Sequence, residues 1–260
     1  MIYLIELLLE IFFHIFISLM KIISLVPSIT EALFDLGLSE NEIIGRTKFC
    51  IHPKEKIKNI EKIGGTKNLD LNKIKALKPD LIIANKEENV KEQVEELMKD
   101  FKVMLTNVES IEDNYYLLKN LGNILGKQEK AQWYNLKIYE VLEKFKFPKK
   151  LQTAYLIWKN PYMTIGSGTF IHHVLEEIGF ENIFKNKTRY PEILLEDLKD
   201  AEVIMLSSEP FPFKENHIEE LKTMYPEKKI LIVDGEAFSW FGTHLAKCEN
   251  YFQGLFEDLK

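Results

Sequence analysis

From Met20 onward, short β-branched runs alternate with stretches whose apolar positions recur every three to four residues. Residues 22–26, 81–84 and 103–105 read as buried strands in the first half of the chain, and 154–158, 203–206 and 230–233 do so in the second. Between them lie amphipathic helices. Val90, Val94, Leu97, Met98 and Phe101 fall at i, i+4, i+7, i+8 and i+11, which makes one apolar stripe, with the intervening Lys and Glu left to solvent. This alternation predicts an α/β protein whose sheets are parallel and carry helices on both faces.

Helix starts are marked too. Ser28-Ile29-Thr30-Glu31 has the spacing of a capping box, with Ser28 as cap and Gly37 placed to end the helix; Ser110-Ile111-Glu112-Asp113 repeats the device. Both helices follow strands, so their N-termini are expected over the carboxyl edge of a sheet, where open α/β sheets bind ligands.

The middle of the chain differs. From about 126 to 147 there is no strand pattern, only Ala131, Tyr134, Ile138, Val141, Leu142 and Phe145 at helical spacing, ending at Pro148. A single long helix over 126–148 is expected, between an α/β lobe at 20–125 and another at 149–260. The halves echo each other, since Leu77-Lys78-Pro79-Asp80-Leu81-Ile82-Ile83 resembles Leu198-Lys199-Asp200-Ala201-Glu202-Val203-Ile204. Two similar lobes with a helix across the join predict a cleft between them.

Composition narrows the function classes. The 260 residues are 46% hydrophobic and 28% charged, as expected of a chain with a buried core, and the net charge of -6 leaves no basic surplus for a nucleic-acid partner. Cys50 and Cys248 belong to no CxxC or zinc spacing, so a disulfide between them is left open. Residues 1–19 are almost continuously apolar but are interrupted by Glu6, Glu10 and His14, and no Lys or Arg precedes Lys21. They match neither a secretory signal nor a membrane span, and are read as a start codon placed too early or as an atypical signal or anchor.

An enzyme should show a nucleophile, a paired acid and base, or a phosphate loop, and none stands out. Gly166-Ser167-Gly168 lacks both the GxSxG frame and the P-loop ending; its glycines read as a close approach of backbone to a ligand or as a turn after the 163–165 strand. In Phe49-Cys50-Ile51-His52-Pro53, Cys50 and His52 could be a nucleophile pair, a packed loop or a ligand contact. His172 and His173 are adjacent on a helix and point about 100° apart, so they cannot hold one metal from a single helical face. No metal site is expected. Phe49, Trp158, Tyr190, Phe238, Trp240 and Phe241 fall at strand ends or in loops. Trp158 suits a core, whereas Tyr190 and Trp240, beside Pro and Gly, suit a flat binding face.

A larger pattern then stands out. Ile22-Ile23-Ser24-Leu25-Val26-Pro27-Ser28-Ile29-Thr30-Glu31, Gly45-Arg46-Thr47-Lys48-Phe49-Cys50, Gly64-Gly65-Thr66-Lys67-Asn68 and Leu77-Lys78-Pro79-Asp80-Leu81-Ile82-Ile83-Ala84 run in the order seen in the cobalamin- and iron-siderophore-binding proteins of ABC importers. Glu181-Asn182-Ile183-Phe184, Tyr190-Pro191-Glu192 and Ser239-Trp240-Phe241-Gly242 continue the match, so it covers nearly everything after Met20. The sequence resembles the cobalamin-binding branch most.

The resemblance implies two Rossmann-like lobes with parallel sheets joined by one long backbone helix, the class III periplasmic-binding-protein clamshell, acting as a monomer and not as an enzyme. It puts ligand contacts at Pro27, Ser28, Phe49, Cys50, His52, Gly65, Thr66, Asn85, Lys86, Gly166, Ser167, Gly168, Thr169, Tyr190, Trp240, Phe241 and Gly242. An acidic residue on each lobe would dock onto an ABC permease: Glu196 in the second, and in the first Glu88, chosen from Glu87, Glu88 and Glu92. The expected ligand is a small-molecule metal chelate, cobalamin or a related corrinoid, and no cofactor acts as catalyst. A ferric siderophore or haem is the runner-up, because Lys48, Lys67, Lys86 and Arg189 could line a basic cleft. A different class of function is a cytosolic chelate-handling enzyme using Cys50 and His52. The resemblance implies a periplasmic or membrane-associated protein, while residues 1–19 lack a convincing signal peptide, which leaves a cytoplasmic location open.

Overall fold

Strand β1 (Ile22–Ser24) leads through Leu25 and Val26 into α1 (Pro27–Asp35), and all three strand residues are buried. The computed structural model describes residues 20–146 and 149–259; the expectations for residues 1–19 and for a helix stop at Pro148 lie outside them. The chain separates into two compact units, Met1–Val108 with Tyr115–Asn135, and Glu109–Asn114 with Leu136–Lys260.

In the first unit α1 is followed by β2 (Ile43–Arg46), β3 (Glu61–Lys62), β4 (Gly64–Gly65), β5 (Asn68–Leu69) and α2 (Leu71–Leu77). Then come β6 (Leu81–Asn85), α3 (Lys91–Met98), β7 (Val103–Thr106), α4 (Ile111–Leu125) and α5 (Gln128–Lys144). The sheet order is β3-β2-β1-β6-β7 with every pairing parallel. β6 is buried at all five positions, the burial of a strand covered on both faces. Ile23, Leu25, Ile63, Ile74, Ile82, Val94 and Leu97 pack into one core.

The second unit contains β8 (Leu151–Trp158), β9 (Met163–Thr164), α6 (Phe170–Glu177), β10 (Phe180–Asn182) and β11 (Val203–Ser207). It continues with α7 (Glu215–Met224), β12 (Lys229–Val233), α8 (Gly235–Ser239) and α9 (Glu249–Leu259). Its sheet order is β10-β8-β11-β12, all parallel, while β9 departs from the pattern by lying antiparallel on β8. In both sheets the unit's first strand is central, a later strand adds on one side and the chain then returns to the other. The echo between 77–83 and 198–204 marks β6 and β11, which hold equivalent places in the two sheets. The division between units falls inside α5, whose Ala131, Ile138, Val141 and Leu142 are buried.

Four local expectations are corrected. Ser28 does not cap α1: the helix begins at Pro27, whose missing N–H costs nothing in a first turn, Val26 is the N-cap, and Ser28 is buried inside the helix. Its other end is as expected, with Gly37 at φ +104 and the Gly37→Phe34 and Leu38→Leu33 bonds of a Schellman motif. Met98 leaves the α3 stripe and is 42% exposed, since the helix ends there, and Trp158 leaves the core at 40% exposed, at the end of β8 with its ring edge-on to Phe211. Phe238 lies in neither loop nor strand end but in α8, fully buried between Tyr155 and Phe252. The box at Ser110 forms as predicted: Asp113 N–H donates to Ser110 Oγ and Ser110 N–H to Asp113 Oδ2, each at 3.0 Å.

Candidate functional site

In the first sheet the order of strands reverses between β1 and β6, and the carboxyl ends of those two strands are where an open parallel sheet presents loops to a ligand. One buried side chain ties these loops together. Asn89 Nδ2 donates to the carbonyls of Leu25 (3.2 Å) and Thr66 (3.1 Å), while its Oδ1 accepts the Asn85 amide at 2.9 Å. Asn85, an expected ligand contact, is itself 1% exposed. Its Oδ1 accepts the amides of Glu87 and Glu88, and its Nδ2 donates to Thr106 Oγ1, so it shapes the loop around exposed Lys86.

The loop after β2 is organised from below by Arg46. Its guanidinium is buried and donates through Nε to the Ile57 carbonyl at 3.0 Å and through one terminal nitrogen to the carbonyls of Thr47 and Cys50, each at 3.1 Å. The planar fork reaches three carbonyls from two separated nitrogens, a geometry that the single nitrogen of a lysine does not reproduce. Phe49 is thereby held with its ring 49% exposed, and His52 is half-buried. Cys50 points the other way, fully buried, with its sulfur 3.0 Å from Thr30 Oγ1 and 3.2 Å from Thr47 Oγ1. Burial pushes its thiol pKa up, against the smaller lowering effects of the two threonines and Arg46. This corrects the expectation of a reachable thiol: a nucleophile needs access and thiolate character, and Cys50 has neither. Cys50 and Cys248 are both free and buried.

β4 and β5 form a two-stranded hairpin with Thr66 and Lys67 at its turn. A side chain at Gly64 is excluded, since a Cβ there would lie 2.4 Å from the Asn68 carbonyl oxygen, and φ is +105. Lys48 N–H donates to the Gly64 carbonyl at 2.8 Å, locking hairpin and Arg46 loop together. Between them lies a pocket of about 680 Å³ bordered by Lys48, Phe49, Gly64–Gly65, Thr66, Lys67, Asn68 and, at its margin, Lys62, Asp70 and Lys73. Phe49, Gly65 and Thr66 therefore come together as expected, with Lys62 and Lys73 as unforeseen neighbours. Pro27 and Ser28 sit at the start of α1.

In the second unit, Gly166–Thr169 and the segment before Tyr190 are stitched into one structure. Gly166 N–H donates to the Arg189 carbonyl (2.7 Å), Ser167 N–H to that of Lys187 (2.8 Å), and Arg189 N–H to that of Ser167 (2.9 Å). A Cβ on Gly166 would lie 2.2 Å from the Lys187 carbonyl oxygen, so this glycine admits the protein's own backbone. Ser167 Oγ also donates to Lys187, and Thr169, fully buried, caps α6 by accepting the His172 amide. Arg189 donates to the Gly168 carbonyl at 3.0 Å and covers the half-buried Tyr190 ring, 5.6 Å from its centroid.

The loop of Trp240, Phe241 and Gly242 is fixed from two sides. Buried Asn114 donates to the Gly242 carbonyl at 3.0 Å and accepts the Gly242 amide. Glu209 accepts Ser239 Oγ–H at 3.0 Å and the Trp240 indole N–H at 3.2 Å. Burial pushes the Glu209 carboxyl above its usual range; the two hydrogen bonds oppose the shift, and Glu236 and Asp234 add to it. Trp240 is 8% exposed, and Phe241 packs edge-on against Phe170. Sequence reasoning assigned no role to Arg46, Asn89, Asn114 or Glu209. Nothing local marks them, because Asn114 and Gly242 lie 128 positions apart and Asn89 and Leu25 lie 64 apart.

Of the two acidic residues expected to dock a permease, Glu88 is half-buried and Glu196 is exposed in the 3₁₀ turn Leu195–Asp200. Among the described residues no group of three His, Cys, Asp or Glu could hold a metal, and no helix is long and apolar enough to cross a membrane. His172 and His173 rings meet edge to face at 5.3 Å.

Two α/β units, each a parallel sheet whose strand order reverses beside its first strand, define the class III substrate-binding fold. The chain belongs to the periplasmic binding protein family, whose model matches residues 22–223. It is 32% identical over 184 residues to a vitamin B12-binding protein of Salmonella paratyphi A, covering 68% of each chain. The structure of the periplasmic vitamin B12 binding protein BtuF of Vibrio cholerae superposes with a TM-score of 0.78 at 19% identity, covering 92% of this chain and 98% of that one. The periplasmic heme-binding protein RhuT from Roseiflexus sp. RS-1 gives 0.78 at 14% identity, covering 93% and 99%. These relatives and neighbours are binding proteins and not enzymes. The chain is accordingly a substrate-binding protein of ABC import, with a small-molecule ligand and a permease as partner.

Proposed function

We propose that the protein captures cobalamin or a related corrinoid and presents it to an ABC permease. The observation that carries this is the exposed Phe49 ring, held by the buried Arg46 fork at the edge of the pocket in the first unit. A corrin has a broad, partly apolar face edged by amides, and a fixed aromatic ring beside backbone and side-chain polar groups suits it. The vitamin B12-binding relatives support the same ligand class. A second reading, haem or a ferric siderophore, is favoured by the lysines around that pocket and by the heme-binding fold neighbours. Tyr190 and Lys86 are further proposed contacts. Glu88 and Glu196 are proposed to dock the permease, and the protein is proposed to act as a monomer in the periplasm or at the membrane.

The test is a titration of the purified chain with cyanocobalamin, cobinamide, haem and a ferric siderophore, followed by absorbance and calorimetry. Saturable one-to-one corrinoid binding, weakened at least about tenfold by Phe49→Ala, is the expected result. Binding of haem or the siderophore alone selects the second reading, and no binding by a folded sample overturns both.

A further inference from the structure

The chain is acidic as a whole, with a net charge of -6, yet the first-unit pocket is bordered by four lysines and one aspartate. The aspartate is already engaged, since Asp70 Oδ1 caps α2 by accepting the Lys73 amide at 3.0 Å. Lys73 is neutralised by Glu61 at 2.7 Å. Lys48, Lys62 and Lys67 are different, for none of them forms an ion pair among the described residues. Lys67 donates only to a neutral group, the Glu87 carbonyl. Lys48 lies over the Phe49 ring with Nζ 5.0 Å from its centroid, and a Cβ on Gly65 would be 3.3 Å from Phe49 Cε2 and 3.4 Å from Lys48 Cε. Ring, glycine and lysine stem thus form an apolar floor, and three ammonium groups stand on its rim.

The border therefore carries an excess of positive charge, four lysines against Asp70, next to a flat apolar face. Salt bridges that would quench the rim are absent from these three side chains, whereas Lys73 beside them is paired with Glu61. An uncompensated cluster of ammonium groups repels itself and gains most from an anion placed among them. The backbone bond of Lys48 to Gly64 and the side-chain bond of Asn89 to Thr66 hold the segments that carry Lys48 and Lys67, so the backbone beneath these two lysines is set before any ligand arrives.

We infer that, within the proposed chelate class, this pocket favours macrocycles whose edge bears free carboxylates, so that an acidic corrinoid or a tetrapyrrole with free acid side chains binds more tightly than a fully amidated corrin of the same ring. The apolar floor takes the ring face and Lys48, Lys62 and Lys67 take the carboxylates. This presupposes the chelate ligand proposed above and narrows it.

The test compares two corrins that share one macrocycle, the all-carboxylate cobyrinic acid and the amidated cobinamide, both as dicyano forms, titrated into the full chain at about 0.05 M and about 0.5 M salt. Cobyrinic acid is expected to bind at least about tenfold more tightly at low salt, with the advantage shrinking at high salt. The double variant Lys48→Gln/Lys62→Gln is expected to bring the affinities for the two corrins to within about twofold of each other. The charge-matched Lys102→Gln/Lys119→Gln, on exposed positions outside the pocket, leaves it intact. Equal affinity for the two corrins, or an advantage that survives Lys48→Gln/Lys62→Gln, overturns the selection while leaving a corrinoid receptor in place. Absence of binding to both corrins and to haemin, by a chain that still melts cooperatively, overturns the selection and the chelate reading together.

Discussion

The indole N–H of Trp240 donates to Oε1 of Glu209, thirty-one positions earlier, at 3.2 Å, and the same oxygen accepts the Ser239 hydroxyl at 3.0 Å. A half-buried carboxylate therefore sets the orientation of the aromatic side chain that stood out most in the sequence of the second unit.

Glu209 makes stability depend on pH in a definite direction. Its carboxyl is raised by burial, so the folded chain binds its proton more tightly than the unfolded chain does. The group's contribution is full below the unfolded value of about 4.3 and is lost as pH rises through the raised folded value. Glu209→Gln keeps an acceptor for Trp240 without the charge. The melting temperature of the wild type relative to that variant is expected to fall between pH 4.5 and pH 7, and a constant difference across that range would falsify the assignment.

Arg46→Lys should loosen the Phe49 loop, because one ammonium cannot replace a fork that serves Ile57, Thr47 and Cys50. In a Cys248→Ser background, the wild-type Cys50 thiol is expected to react slowly with a disulfide reagent, and Arg46→Lys to accelerate it at least about tenfold. The loss in stability is about 1–3 kcal/mol, as for other buried groups left unpaired. A reaction as fast in the parent as in the unfolded chain would show that Cys50 is not covered.

Removing the Asn89 amide strands two carbonyls and one backbone N–H at the ends of β1, β6 and the hairpin turn. Asn89→Ala is expected to cost about 2–4 kcal/mol in urea unfolding, from three lost bonds of roughly 0.5–1.5 kcal/mol each. Ligand affinity should fall with it, because the hairpin bearing Thr66 and Lys67 loses its tie to the sheet. An Asn89→Ala protein with unchanged midpoint and affinity would remove Asn89 from this role.

Gly166→Ala would drive a methyl group to 2.2 Å from the Lys187 carbonyl oxygen. The segment through Arg189 must move, at a cost of about 1–3 kcal/mol, as for other overpacked sites. Amide exchange at Ser167 and Arg189 is expected to quicken, and unchanged exchange would mean that Gly166 has another purpose.

Charge reversal at exposed Glu196 tests the permease contact separately from the ligand. Glu196→Lys is expected to leave chelate affinity within about twofold and to lower uptake by cells at least about tenfold. A parallel loss of affinity would place Glu196 at the ligand and not at the permease.

The sequence by itself determined the alternation of strands and helices, the long helix now seen as α5, and the family. Those signals are local: β6 and β11 are continuous apolar runs because both faces of each strand are covered, and the Gly37 stop and the Ser110 box are written within a few residues. β2 and β10 went unread because their apolar residues are followed at once by Gly45-Arg46 and by Glu181-Asn182, which leaves no continuous apolar run. Much of the site was decided only by tertiary structure. Phe49 and Cys50 are adjacent in sequence, yet one is presented and the other sealed, since Arg46 and two threonines fix the direction of that turn. Likewise no local pattern links Asn89 to Leu25 or Asn114 to Gly242, because a hydrogen bond across 64 or 128 residues exists only once the sheets have brought their loops together.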